Sequence, residues 1–341
     1  MGLFVSQFSA QISLCVLAYA GWLACQEKTV PPSSPPPKAT EPVGPVTVPA
    51  LPTAPVPAPS VPVAPPSVVP AHIVLVSFDG TRPDIAQAAR MPTLHAMARD
   101  GATTWTARSI VPPLTLPAHT SMLTGLAPEE HGVYWNQWIP AFGPFRHPTL
   151  FMLAKTAGLS TAAFSGKDKL AYLFPTGSVD HISFPAPDPA DWMGTNVFNA
   201  RRVAAQATNY FAVHQPRLMF VHFPDADMAG HYYGWPSEEQ FAALAECDAA
   251  LAVLRAGVER AKATNVLFLL TADHGGAGLS HGVDRPQDMT IMWIAWGAGV
   301  RGAHSLTNPV TLPDTAATIA WLLGLKLPAN CTGQPVREAF Q

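Results

Sequence analysis

The chain has 341 residues, 48% hydrophobic and 13% charged, with 37 prolines, 24 glycines and a formal net charge of −3. Sixteen of the prolines fall within residues 31–70, a density that no packed domain absorbs, so one continuous globule is excluded. Glycine does not recur every third residue, which excludes a collagen helix, and no Lys/Arg-rich run supports specific nucleic-acid binding.

Residues 1–25 read as an export leader. Met1 to Gln26 carries no charged side chain, and Ile12 to Ala24 is an almost wholly apolar run of 13 residues. A transmembrane helix needs ~20 residues; a signal-peptide core is shorter. Cys25 follows Trp22-Leu23-Ala24, which resembles a bacterial lipobox, whose cysteine is lipidated; an uncleaved anchor is the other reading. Both imply export to a periplasmic or cell-envelope location, with membrane attachment through the N-terminus, at Cys25 if the lipobox operates. Residues 26–70 follow, and within them residues 31–70 alternate Pro with Val, Ala, Ser and Thr. They predict a disordered, extended stalk, at ~3.1 Å per residue where polyproline forms.

Residues 71–341 hold all 12 histidines and 39 of the 43 charged residues, and the segment is long enough to bury a substantial core. Cys247 and Cys331 lie far apart without zinc-site spacing, and their pairing stays open. In chain order, His72–Phe78 predicts a buried strand and Pro92–Asp100 a helix stopped by Gly101. Strands follow at Ser160–Phe164 and Arg217–Phe223. Ser237–Ala263 is a long helical pattern, Asn265–Thr271 and Thr290–Trp296 are strands, and Pro313–Leu323 is a helix ending at Gly324. Apolar strands separated by helices predict an α/β fold: a central, mostly parallel sheet flanked by helices on both faces.

The acids fall just after strands: Asp79 after the first, Asp225 and Asp227 after RLMFVHF, Asp273 after NVLFLLT. Ligands of open α/β sheets bind beyond the carboxyl ends of the strands. Carboxylates gathered there need positive charge among them. Asp227 and His231 are spaced i, i+4, one helical face. Asp225 competes with Asp227, and that spacing favours Asp227. His274 follows Asp273, and His281-Gly282 comes seven residues later, with His304 as its rival. Three Asp and three His without Cys suit Zn²⁺, Mn²⁺ or Fe²⁺, and six protein ligands suit two ions. Thr115 precedes a predicted helix start, where orphan N–H groups favour phosphate; an ordinary N-cap is the alternative. His119 and His131 read as local hydrogen-bonding groups, and His222 as a satisfied core residue. Tyr134, Trp135 and Trp138 either pack or stack on a leaving group. Lys167 and Lys169 are either solvated or contact an anionic substrate.

Together, Phe78-Asp79-Gly80, Thr115-x-Pro117-x-His119, Thr124-Gly125-Leu126, His131-Gly132-x-x-x-Asn136, Asp227-x-x-Gly230-His231, Asp273-His274-Gly275 and His281-Gly282 resemble the alkaline phosphatase superfamily, in its nucleotide pyrophosphatase/phosphodiesterase branch. The resemblance covers residues 71–341 and implies an alkaline phosphatase-like phosphodiesterase domain. It implies two divalent ions, Zn²⁺ first among them, one held by Asp227, His231 and His281, the other by Asp79, Asp273, His274 and the Thr115 oxygen. Thr115 is implied as nucleophile, through a phosphothreonine intermediate, and Asn136 as a phosphoryl-oxygen ligand. The implied substrate is a small phosphodiester or nucleotide. A phosphomonoesterase or phosphonate hydrolase on the same scaffold, or an inactive surface binding protein, are the alternatives. Leu114 stands where that branch commonly has lysine, which leaves nucleotide preference open. The short chain between His274 and His281 predicts an open cleft. Thr at position 115 disfavours a sulfatase, which usually needs a modified Cys or Ser.

Overall fold

A computed structural model describes residues 67–184 and 199–341; the leader at 1–25 and nearly all of the 26–70 stalk lie outside the described residues. The strands are β1 (His72–Phe78), β2 (Ala102–Arg108), β3 (Thr161–Ser165), β4 (His181–Ser183), β5 (Leu218–Phe223), β6 (Val266–Thr271), β7 (Thr290–Gly297) and β8 (His304–Ser305). Among the described residues they form one eight-stranded sheet in the order β4-β3-β5-β1-β6-β7-β2-β8. β1 pairs in parallel with β5 and β6, and β3 with β4 and β5; β7 runs antiparallel to both β6 and β2. This is the mostly parallel sheet that the apolar runs predict.

Alternation along β1 explains the layers. Ile73 and Leu75 point to one face, with Phe220, Leu269 and Trp293. Val74, Val76 and Phe78 point to the other, with Val221, Phe223 and Phe268. Both faces are apolar because both are covered. The first receives α3 (Thr115–Thr124), α5 (Leu150–Thr156) and α10 (Asp314–Leu323), through Leu116, Met122, Phe151 and Ile319. The second receives α2 (Pro92–Asp100), α6 (Ala200–His214) and α8 (Glu238–Arg260), through Leu94, Phe211, Leu251 and Leu254. Each such buried Leu or Phe contributes about 1.5–3 kcal/mol. Short helices α1 (Pro83–Ala88), α4 (Pro128–His131), α7 (Asp225–Tyr233) and α9 (Pro286–Met289) complete the connections.

Register decides what meets beyond the sheet. Ser165 pairs with His222, His222 with Ser77, and Ser77 with Thr271. One row thus crosses β3, β5, β1 and β6 at the last or next-to-last residue of each strand. The next residues outward bring Lys167, Asp79 and Asp273 to one edge, and α7 brings Asp227. Among the cysteines here, Cys247 is buried in α8 and Cys331 is half-buried; both are free thiols.

Candidate functional site

Three carboxylates converge at that edge. Asp79, Asp227 and Asp273 are all essentially buried. Gly80 permits their approach: its φ is +66°, and an added Cβ would lie 2.7 Å from the Asp227 Cβ. Trp235 locks the arrangement by donating its indole N–H to the Gly80 carbonyl at 2.8 Å. Its ring packs on Gly230, where a Cβ would sit 2.2 Å from the indole; this gives the glycine of Asp227-x-x-Gly230-His231 a steric reason. Asp227 and His231 share α7, as their spacing predicts.

The three histidines are oriented alike. His274 Nδ1 bonds the Gly275 carbonyl at 2.8 Å, His281 Nδ1 the Pro113 carbonyl at 2.8 Å, and His231 Nδ1 the Leu279 carbonyl at 3.0 Å. Carbonyls only accept, so each Nδ1 carries the proton and each Nε2 presents a lone pair. Those Nε2 atoms face the carboxylates. His231 and His281 each lie 3.5 Å from Asp227 Oδ1, and His274 lies 3.3 Å from Asp273 Oδ2 and 3.5 Å from Asp79 Oδ1. The Nε2 atoms of His231 and His281 are 3.2 Å apart. Burial lowers the His274 pKa, and burial with the neighbouring His274 lowers that of His281 to about 4, which keeps their imidazoles neutral.

Thr115 opens α3 as its first residue; the N-cap is Leu114, without a side-chain cap bond. The Thr115 hydroxyl therefore does not cap the helix. Its Oγ1 sits 3.3 Å from His274 Nε2 and 3.5 Å from Lys167 Nζ. The Thr115 backbone N–H lies in the first turn, where it has no intrahelical acceptor. Asn136 Oδ1 accepts from the Leu116 N–H at 2.9 Å, which fixes the amide's orientation and leaves its NH₂ for a ligand oxygen.

Two residues join the site in ways the sequence did not indicate. Lys167 is neither solvated nor at the periphery: its side chain is 10% exposed and its ammonium bonds Asp79 Oδ2 at 2.8 Å and Asp227 Oδ2. Burial alone would lower its pKa, but Asp227 and Asp79 outweigh burial and raise it. His222 bonds Asp79 Oδ2 through Nε2 at 2.8 Å and contacts Ser165 Oγ through Nδ1 at 3.3 Å. Its location one strand from Asp79 was the available signal, visible only once β1 and β5 are paired. Burial pushes the Asp79 carboxyl up, but Lys167 and His222 hold it well below the usual carboxylate range. Asp273 moves the opposite way, pushed well up by burial and then by the charge of Asp79.

The rival ligands lie elsewhere. Asp225 accepts from the N–H groups of Asn199 and Ala200, both at 2.9 Å, at the start of α6, and burial pushes its pKa up to about 8. His304 stands on edge strand β8, 3.3 Å from Glu338. His119 bridges the Thr115 carbonyl and Ser77 Oγ, at 2.8 and 2.9 Å, and His131 bonds Ser121 Oγ at 3.0 Å. Trp135 packs on Phe142, with ring centroids 4.3 Å apart, while Tyr134 and Trp138 are exposed.

The residues present fit divalent cations. Among the described residues, Asp79 Oδ1, Asp227 Oδ1 and Asp273 Oδ2 are buried acceptors without a hydrogen-bond partner. Orphaned buried acceptors are costly, and two lone pairs facing each other across 3.2 Å repel. A cation removes both penalties. Ligand atoms of Asp79, Asp273 and His274 lie within 4.8 Å of one another, as do those of Asp227, His274 and His281. Oxygen and imidazole donors suit zinc and its neighbours.

This sheet, with its acids at the strand ends, is an alkaline phosphatase-like fold. It aligns with murine ectonucleotide pyrophosphatase/phosphodiesterase 5, an inactive variant in complex with AMP, at a TM-score of 0.65 and 16% identity, covering 79% of this chain and 100% of that one. An alkaline phosphatase, PafA, aligns at 0.66 and 14% identity, covering 80% of this chain and 99% of that one. Residues 73–293 match the family model described as type I phosphodiesterase/nucleotide pyrophosphatase. The chain belongs to that family. In sequence it is 28% identical over 219 residues to human ectonucleotide pyrophosphatase/phosphodiesterase family member 7, covering 60% of this chain and 47% of the relative. The rat counterpart is 26% identical over 227 residues, with 60% and 49% covered. The chain thus spans about half the length of the curated relatives it matches.

Proposed function

We propose that the chain is a metal-dependent phosphoester hydrolase that cleaves phosphodiesters or nucleotide pyrophosphate bonds through a phosphothreonine on Thr115. One observation carries the reading: a hydroxyl at the start of a helix lies beside three buried carboxylates, each with an orphaned oxygen, and three imidazoles with bare Nε2 atoms. Asp227, His231 and His281 would hold one ion, and Asp79, Asp273, His274 and Thr115 the other, with zinc the best match to the donors. Such ions stabilise the attacking and leaving oxygens of an in-line displacement.

The chain's own groups supply the rest. Thr115 Oγ1 gives up its proton and forms the bond to phosphorus as the ester oxygen leaves. Water then cleaves the Thr115–phosphorus bond and regenerates the hydroxyl. The leaving oxygen takes up the proton and one water is consumed: a diester releases an alcohol and a phosphomonoester, and a nucleotide pyrophosphate releases two phosphates. The Thr115 N–H and the Asn136 NH₂ meet a non-bridging oxygen. Tyr134 and Trp138 offer exposed rings near Asn136 in sequence for stacking on an aromatic leaving group.

A neighbour solved with AMP and a pyrophosphatase family model support a nucleotide or other phosphodiester. A second reading, phosphomonoesterase or phosphonate hydrolase, draws on Lys167, whose extra charge 3.5 Å from Thr115 Oγ1 favours a dianionic phosphoryl group. A phosphonate monoester hydrolase from Silicibacter pomeroyi shares the fold at a TM-score of 0.61, with 16% identity, covering 78% of this chain and 76% of that one. The proposed location is the periplasm or cell envelope, with attachment at Cys25. The apolar run before that cysteine supports this.

The test compares an aryl phosphate diester with its monoester on the zinc-loaded full chain. The diester is expected to turn over faster; a tenfold monoester preference rejects the diesterase reading. Thr115→Ala should lower turnover at least ~10³-fold while zinc still binds. Surviving activity would remove Thr115 as nucleophile.

A further inference from the structure

Lys167 is the cation already present in the cluster. β3 ends at Ser165, and the turn through Gly166 carries the lysine into the space between β1 and α7. Gly166 is needed there, because a Cβ would lie 2.3 Å from Pro224. The Lys167 ammonium then rests on Oδ2 of both Asp79 and Asp227. These are one ligand from each of the two ion sites. The opposite oxygens, Oδ1 of both residues, are the ones left without partners.

The ammonium and the incoming ions therefore contend for the same two carboxylates. A lysine ammonium is compact and donates three hydrogen bonds. A divalent ion carries twice the charge and takes ligands at shorter distances, about 2.0–2.2 Å for zinc and oxygen. Each of the two carboxylates would be drawn on by one ion, and cation–cation repulsion in a buried site then opposes a tight ion pair with the ammonium. The lysine stem is long and flexible enough to withdraw, and Thr115 Oγ1, 3.5 Å from Nζ, lies on one side of it.

We propose that Lys167 is a resident counter-cation that stabilises the metal-free carboxylate cluster and that divalent ions must displace to load the site. The inference rests on the two-ion reading above. It gives Lys167 a definite role: the site stays folded and neutralised before metal arrives, at a cost in metal affinity. The lysine acts through Asp79 and Asp227 and is a positioning residue in this role.

The test titrates zinc chloride into metal-stripped full-length chain, wild type and Lys167→Met, by calorimetry, with melting temperatures before and after. Methionine keeps most of the stem and removes the charge. The variant should melt lower than wild type without zinc, and its first zinc should bind at least tenfold more tightly. Equal or weaker zinc affinity in the variant overturns the proposal. A second measurement needs no variant. Acylation of Lys167 in wild-type chain, followed by mass spectrometry, should be slow without zinc and at least several-fold faster with it. An unchanged or slower rate also overturns the proposal. If wild type binds zinc and cleaves the diester while Lys167→Met gains no affinity, this inference alone fails. If neither protein binds zinc, the two-ion reading fails with it.

Discussion

Asp79 shows how much of this site depends on residues behind the carboxylates. Its Oδ2 takes bonds from Lys167 and His222, both at 2.8 Å, and its Oδ1 faces His274. His222 is a fully buried imidazole that orients this carboxylate without needing to touch substrate. Partners of this kind typically carry 10–100-fold in metal affinity. His222→Ala should therefore weaken zinc binding about 10–100-fold, and His222→Gln, which keeps an N–H donor, should lose less. Equal losses in a zinc titration would show that His222 acts by packing alone. The carboxylates Asp79, Asp227 and Asp273 were legible because each follows an apolar strand. The choice of Asp227 over Asp225 followed from a spacing of four. Lys167 and His222 were not legible in these roles, because their partner Asp79 lies 88 and 143 residues away in the chain.

Strands built largely of apolar residues announced themselves; the Thr-rich and the very short ones did not. β1, β5, β6 and β7 are runs of Val, Ile, Leu, Phe and Trp. β2 reads Ala-Thr-Thr-Trp-Thr-Ala-Arg, and its partly exposed residues give no continuous apolar signal. β4 and β8 have three and two residues, too few for any periodicity. β8 also shows how the chain end is fastened. Glu338 accepts from the N–H and hydroxyl of Thr307, at 2.9 and 2.7 Å, and from the N–H and side-chain amide of Asn308, at 3.0 and 2.8 Å. The Asn308 N–H and the Thr307 groups lower its pKa from 4.5 to about 2. A carboxyl held low in the folded state stabilises the fold above its unfolded pKa, and that contribution fades as pH falls toward 2. Urea midpoints measured between pH 6 and pH 2 should drop for wild type. Glu338→Gln should start lower at pH 6 and show a shallower drop; parallel curves would mean that the clamp carries no linkage.

At the scale of the molecule, the central question is how the sheet tolerates so much buried acid at one edge. The structure answers with one ammonium, neutral imidazoles and three oxygens left without partners. Bound ions should therefore stabilise the whole fold. At a free zinc concentration a hundred times Kd, one site adds about 2.7 kcal/mol, roughly 5–10 °C in Tm for a domain of this size. Thermal melts with and without a chelator should differ by at least that much, and restored zinc should return the higher Tm. Coincident melts would contradict a metal centre built into the fold.

Local patterns in the sequence determined the class of fold, the strand ends where acids collect and the family those motifs mark. These are properties of contiguous residues, where apolar runs, glycine stops and i, i+4 spacing act over a few ångströms of chain. Only the tertiary structure decided which carboxylates Lys167 neutralises, that Thr115 starts its helix instead of capping it, and that His222 stands behind Asp79. Those depend on strand order and register, because parallel neighbours in this sheet are joined by long crossovers and hydrogen bonds across the sheet carry no trace in the local sequence.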